Sequence, residues 1–238
     1  MLKDSLYYNF HHWCKRGSIW ITSDTHFQDE QLEEAIPNRI KTADHIKLIN
    51  SKVTKNDTLI ILGDVGCLKA TSRLNGYKVL VAGNHDTGLS KYQKQIHYAK
   101  FDSDTYDKYE ALDEMKELYP NCKYDIRLGS IYSLLHSSPI LWNVTANNGL
   151  FDEIYSGPLI IGKKIVLSHE KLNNINWAFN IHGHIHNPHI PNDNNHFNVC
   201  GDARRNYEPI NLNSLIKSGI MREIEDIHTL IRKERLKS

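Results

Sequence analysis

Short apolar runs that stop abruptly set the architecture of this chain. Ser18 to Thr22, Thr58 to Leu62, Lys78 to Ala82, Leu159 to Ile161, Lys164 to Leu167, Phe179 to Ile181 and His196 to Cys200 are three to five residues long, and most are rich in β-branched residues. Stretches of this length are too short for a helix and fit buried strands. Between the first two, Gln28 to Val53 carries Ile46 and Ile49 at helical spacing. Strand, helix, strand is the opening of an α/β fold.

The residues just past these runs are chemically alike. The first run ends in Asp24-Thr25-His26, the second in Gly63-Asp64, the third in Gly83-Asn84-His85-Asp86, the fifth in Ser168-His169-Glu170 and the sixth in Gly183-His184-Ile185-His186. The carboxyl ends of strands are where ligand sites collect in open α/β sheets, so five separate segments can converge on one crevice. Any one of them alone reads as a turn or a hydrogen-bonded core residue; the ordered set does not. Carboxylate and neutral imidazole without thiolate suit Mn, Fe or Zn performing hydrolysis, whereas a structural zinc site favours cysteine.

Composition agrees. The 238 residues hold 29 Lys+Arg against 28 Asp+Glu, a formal charge of +1, with 14 histidines and four cysteines. That length with 40% hydrophobic residues suits one domain with its own core and excludes a disordered chain or a disulfide scaffold. Balanced charge gives no footprint for nucleic acid or an anionic membrane. Cys14, Cys67, Cys122 and Cys200 form no CxxC, so reduced thiols in a cytoplasmic protein are expected. No stretch approaches the ~20 apolar residues of a membrane helix, and the first twenty residues have no signal-peptide pattern.

Two segments stand apart within the single domain expected over 1–238. Residues 88–150 form a tyrosine-rich insertion: Thr87 to Asn148 holds seven of the twelve tyrosines and a helix-like run from Asp107 to Leu118. It is expected to be a lid or an oligomer contact. Over 213–236, Ile220, Ile224, Ile227 and Ile231 mark one face of a C-terminal amphipathic helix, expected to pack on the domain or to pair with a second copy.

The ordered blocks D-x-H, G-D, G-N-H-D, a strand-end His and G-H-x-H resemble the calcineurin-like metallophosphoesterase superfamily. The stretches GLFDEIYSGPLIIGKKIVLSHE and HFNVCGDARRNYEPINL look like its small bacterial and phage-type branch. The resemblance implies a four-layer αββα sandwich. It also implies that Asp24, His26 and His186 hold one divalent ion, that Asn84, His169 and His184 hold a second, and that Asp64 bridges them. Mn is the expected ion, with Fe, Zn, Ni and Co tolerated. A hydroxide shared by the two ions would attack phosphorus directly, His85 would protonate the leaving oxygen, and Asp86 would orient His85.

The substrate expected from the resemblance and the lack of a basic groove is a small phosphodiester or nucleotide-type ester. Alternatives are a phosphomonoesterase or protein phosphatase, and a phosphoesterase-fold binding module without turnover. Arg39, Arg204 and Arg205 are candidate phosphate contacts, with solvated surface as the simpler reading. His182 is expected near the site or in the core, His189 and His196 in solvent, Tyr207 and Trp177 in aromatic core or a pocket wall, and Asn198 on backbone.

Overall fold

A computed structural model describes residues 8–10, 17–87, 89, 93–102, 107–118, 123–129, 142–147, 150–161, 164–173 and 178–221. Two five-stranded sheets stack face to face. The first has the order β13 (Ile210–Asn211), β2 (Ile19–Thr22), β3 (Thr58–Leu62), β4 (Tyr77–Val81), β8 (Glu153–Tyr155); its last four strands are parallel and β13 is antiparallel to β2. The second has the order β1 (Tyr8–Asn9), β9 (Leu159–Ile161), β10 (Ile165–Leu167), β11 (Phe179–His182), β12 (His196–Asn198), with β10, β11 and β12 parallel and β9 antiparallel to β10. All seven apolar runs are strands.

Side-chain alternation builds the layers. Ile21, Ile60, Leu62, Val79 and Val81 point into the gap between sheets and meet Leu159, Ile161, Ile165, Leu167, Phe179 and Ile181. The opposite parity, Leu59, Ile61, Leu80 and Ile154, packs outward against Ile46, Ile49 and Val53 at helix α2 (Thr42–Lys52). Strand β3 is therefore buried at every position, which is why its sequence is almost wholly apolar. Each such side chain contributes roughly 1.5–3 kcal/mol. On the outer face of the second sheet, Val166 and Ala178 pack with Ile160 and Leu172, and among the described residues no helix covers them. The architecture is an α/β sandwich of mixed sheets with flanking helices.

After β4 the chain passes through residues 88–150 and rejoins the first sheet as β8, which pairs in parallel beside β4 (Val79↔Glu153). Strands β5 (Gln93–Asp102), β6 (Lys123–Gly129) and β7 (Trp142–Asn147) form a separate three-stranded sheet in the order β6-β5-β7. Helix α3 (Lys108–Leu118) makes the crossover that the parallel β5–β6 pair requires. The helix expected over 213–236 breaks near its start: a short helix over Leu212–Lys217 ends because Gly219 turns at φ +83°. Ile224, Ile227 and Ile231 lie outside the described residues. Among those described, no helix is long and apolar enough to cross a membrane.

Asp57 ties the entrances of β2 and β3 together. Its carboxylate accepts from the backbone N–H of Ser18 (2.6 Å) and Thr54 (2.7 Å) and from the Thr54 hydroxyl (2.7 Å). Burial favours the neutral acid, but these donors outweigh it and hold the pKa below the usual carboxylate range. A depressed folded-state pKa gives stability that is present above the unfolded value and lost as pH falls through the folded one. Asp57→Ala is therefore expected to cost about 1.5–3 kcal/mol at neutral pH. Urea unfolding should show the gap to wild type narrowing in acid; a gap independent of pH contradicts this role.

Candidate metal centre

The loops leaving β2, β3 and β11 hold their polar residues in left-handed backbone: Asp24 at φ 51°, His26 at 40°, Asp64 at 52° and His184 at 65°. Each such non-glycine residue costs about 1–3 kcal/mol and persists only where contacts over-determine it. Here they do. The Asp24 N–H donates to the Gly63 carbonyl (3.0 Å), the His26 N–H to the Asp64 carbonyl (3.0 Å), and the His184 N–H to both carboxylate oxygens of Asp24 (3.1 and 2.9 Å). A parallel bridge between Ser23 and Cys200 joins the two sheets beside them. The motif glycines leave room for this convergence. A Cβ on Gly63, itself at φ +76°, would strike the His169 ring, and one on Gly183 would strike the Asp24 carboxylate.

The strand ends bring two donor groups together. Asp24, His26 and His186 form one, and Asp64, His169 and His184 the other, each with ligand atoms within 4.8 Å of one another. In the first, His186 Nε2 lies 3.5 Å from Asp24 Oδ1. In the second, His169 Nε2 lies 3.4 Å from Asp64 Oδ2, 2.8 Å from Asn84 Oδ1 and 3.2 Å from His184 Nδ1. Asp64 Oδ2 is also 3.8 Å from His26 Nε2, so this carboxylate stands between the groups. The seven expected ligands are gathered at one place. His85 is exposed beside them, its ring centroid 5.9 Å from that of His26, with its backbone N–H on Asp64 Oδ1 at 2.9 Å. A cleft of about 440 Å³ is lined by His26, Asp64, His85, His184 and His186 on one side and by residues of helix α1 (Glu30–Ala35) on the other.

Tautomers and charge agree with cation binding. Three imidazoles place Nδ1 on an oxygen: His26 on Asp29 Oδ2 (3.2 Å), His169 on the Leu62 carbonyl (2.9 Å) and His186 on Asp202 Oδ2 (2.7 Å). Donating there directs the Nε2 of each neutral ring to the centre. His26 Nε2 is buried with no hydrogen-bond partner, an orphan that a cation would satisfy. Burial alone would push the Asp64 acid up, but hydrogen bonds from His169 and the His85 N–H bring it down to about 2. Burial likewise opposes charge on His169, yet Asp64 and the Leu62 carbonyl carry it up to about 9. Burial keeps His26 below its ordinary value. The donors are oxygen and nitrogen throughout and fit divalent first-row ions.

The family model for calcineurin-like phosphoesterase matches residues 17–198. The chain belongs to that family. Among solved structures it is similar to the protein of unknown function AQ665 from Aquifex aeolicus, at 21% identity over 85% of this chain and 99% of that one, with a TM-score of 0.47. No curated protein sequence matches it significantly.

Beneath the calcineurin-like centre lies a support that the motifs do not announce. Asp202, in the short helix Gly201–Arg204, accepts from His186 through Oδ2 and from the Tyr207 hydroxyl through Oδ1 (2.6 Å), and is ion-paired with Arg39. Arg39 also donates from Nη2 to the carbonyls of Asp24 (2.9 Å) and Thr25 (3.4 Å). Arg39 is therefore neither a phosphate contact nor a surface residue; it is 6% exposed and fully engaged. Arg204 donates to the Glu208 carbonyl at 3.0 Å and Arg205 is exposed. His186, Cys200 and Asp202 also cluster, but burial pushes the Cys200 thiol up and Asp202 is already spent, so this group offers no thiolate site.

One expected partnership is corrected. Asp86 does not orient His85: its Oδ2 accepts from the backbone N–H of Gly83 (2.8 Å) and Asp64 (2.9 Å), and its Oδ1 from Val65 (2.9 Å). Three amides take up the carboxylate because the loops after β3 and β4 must be fastened to each other before Asp64 and Asn84 can converge. His196 is likewise tied down, on Asp193 Oδ1 (2.6 Å) and the Leu172 carbonyl (2.8 Å), and not solvated. His182 is buried, with Nδ1 on the Gly183 carbonyl at 2.9 Å. Asn198 serves backbone, binding the Ile185 carbonyl (2.6 Å) and the Cys200 N–H (2.9 Å). Trp177 lies outside the described residues.

Asp202→Asn is expected to weaken cation binding at the Asp24–His26–His186 group by roughly 10–100-fold while sparing the other group. Metal titration reads this. Breaking the buried pair with Arg39 should also cost about 3–5 kcal/mol, so Tyr207→Phe, which keeps the pair, is the milder control. Equal weakening at both groups would show that Asp202 acts only on the fold.

Proposed function

We propose that this calcineurin-like protein hydrolyses a small phosphate ester, with a phosphodiester or nucleotide-type substrate preferred over a monoester or phosphoprotein. Asp24, His26 and His186 would hold one divalent cation, Asn84, His169 and His184 a second, and Asp64 would be shared. The reading rests on the position of Asp64, within 3.4 Å of His169 Nε2 and 3.8 Å of His26 Nε2. Its Oδ2 faces both donor groups, so this carboxylate would be shared between two cations.

When bound, the two cations lower the pKa of an attacking water and neutralise charge on the phosphoryl oxygens. The chain's own residues do the rest. Oxygens of Asp29, Leu62 and Asp202 orient three imidazoles, and the strained loops hold the donors in place before substrate arrives. His85 lines the cleft and gives a proton to the leaving oxygen as the ester bond breaks. Asp86 holds the loop that carries it.

A reconstitution screen tests the proposal. Protein loaded with Mn, Fe, Zn, Ni or Co is offered bis-p-nitrophenyl phosphate, cyclic nucleotides, p-nitrophenyl phosphate, phosphoprotein and single-stranded DNA. Two ions per chain and fastest turnover of a diester are expected, with Mn most active. Brisk turnover of phosphoprotein and none of the diesters would sink the substrate assignment.

A further inference from the structure

The wall of the cleft opposite the metal donors is α1, and its composition restricts what can be bonded to phosphorus. From this helix and its cap, Asp29, Gln31, Leu32 and Ala35 line the cleft. The helix has no buried residue. Leu32 is half-buried, Ala35 is exposed, and neither belongs to any of the apolar clusters of the core. What holds α1 is polar: the Asp29 cap on the Leu32 N–H (3.0 Å), the Gln28 N–H on the Thr42 hydroxyl (2.7 Å), and Lys41 on Glu33 (2.6 Å). A leucine that contributes nothing to the core yet fronts the cleft is available to a ligand.

Charge narrows the ligand further. No lysine or arginine lines the cleft among the described residues. The guanidinium of Arg39 is engaged with Asp202 and two carbonyls, and the Lys41 ammonium is paired with Glu33. Helix α1 itself bears Glu30, Glu33 and Glu34, with Asp29 before it. Cations held by the donor groups can neutralise one phosphoryl centre. Beyond them the lining holds the Asp29 carboxylate and no cationic side chain, so a second phosphate would meet repulsion without a partner.

We infer that Leu32 and Ala35 form the subsite for the organic group of the substrate, and that this group is uncharged, has an apolar face and bears no further phosphate. The inference rests on the phosphoesterase reading and specifies its substrate class: an ester of a single phosphoryl centre with an aryl, nucleoside-like or similarly apolar substituent, as opposed to a polyphosphate or a nucleic-acid strand. Leu32 is a specificity residue here, since contact with the substituent favours binding in proportion to the apolar area covered.

Calorimetric titration of the two-metal protein with methylphosphonate, phenylphosphonate and tripolyphosphate separates the possibilities, because none of these requires turnover. Phenylphosphonate is expected to bind about tenfold more tightly than methylphosphonate, as burial of one ring face implies. Leu32→Asn should abolish that preference while leaving methylphosphonate affinity, metal content and thermal stability unchanged, since the side chain supports no core. A phenyl preference that survives Leu32→Asn, equal binding of both phosphonates by wild type, or tightest binding of tripolyphosphate would each overturn the inference. Failure of every phosphonate to bind the two-metal protein would remove the phosphoesterase reading and this inference with it, an outcome distinct from binding without discrimination.

Discussion

Asp64→Asn is expected to purify folded but short of metal, with less than two ions per chain after reconstitution and turnover reduced by more than the 10–100-fold typical of an outer-shell partner. The carboxylate faces both donor groups through Oδ2, and its second oxygen receives the His85 N–H at 2.9 Å. Asparagine keeps the shape but must turn an amide NH₂ toward one of those neighbours. If it faces the imidazoles it presents a donor where a cation needs a donated lone pair; if it faces His85, two N–H groups oppose each other. The lost negative charge matters as well. Hydrogen bonds from His169 and the His85 N–H bring Asp64 down to about 2, and Asp64 helps carry His169 up to about 9, a mutual stabilisation that asparagine removes. Elemental analysis and circular dichroism on the same sample check the result. Full metal occupancy with unimpaired turnover would show that Asp64 is not shared.

Such a site is half visible in sequence, and geometry decides which half. The convergence of Asp24, His26, Asp64, Asn84, His169, His184 and His186 was legible because each sits just past a strongly apolar strand, and because a parallel sheet brings those ends together whatever the loops between them do. Asp202 carried no such signal. It lies in a four-residue helix after β12, and its importance arises from Arg39, 163 positions away, and from His186 on another loop. The pairing exists only once both sheets have packed. Arg39 was expected on phosphate or in solvent; buried instead, it needs a carboxylate, and Asp202 supplies it.

Asp86 failed for the opposite reason: adjacency to His85 suggested a partnership, while the backbone amides of Gly83, Asp64 and Val65 were invisible in the sequence and claimed both its oxygens. The same limit applies to the fold. Strand β3 is apolar on both faces and announced itself; β5 is a mixed run, Gln93 to Asp102, in a sheet outside the main core. Strands β1 and β13 are two residues long and exist because β9 and β2 offer them an edge.

The engagement of Asp86 with backbone sharpens what removal of His85 should do. His85→Ala deletes an exposed ring from the cleft but keeps the backbone N–H on Asp64, so both cations are expected to bind as in wild type. Loss of a positioned proton donor costs about 10²–10⁴-fold, and the cost falls unevenly. A nitrophenolate leaves without help, so p-nitrophenyl esters should slow only slightly, whereas esters of alkyl alcohols need the proton and should bear the full loss. Plotting log kcat against leaving-group pKa should therefore give a steeper dependence for His85→Ala than for wild type. Asp86→Ala should behave differently in kind. Releasing three backbone amides loosens the loops that carry Asp64 and Asn84, so stability and metal occupancy should fall while the leaving-group slope stays that of wild type. Had Asp86 been the orienting partner of His85, the two variants would share the steep slope, and observing that would restore the dyad. If instead His85→Ala lost its metals, or slowed every ester by the same factor, the proton would have to come from elsewhere in the cleft.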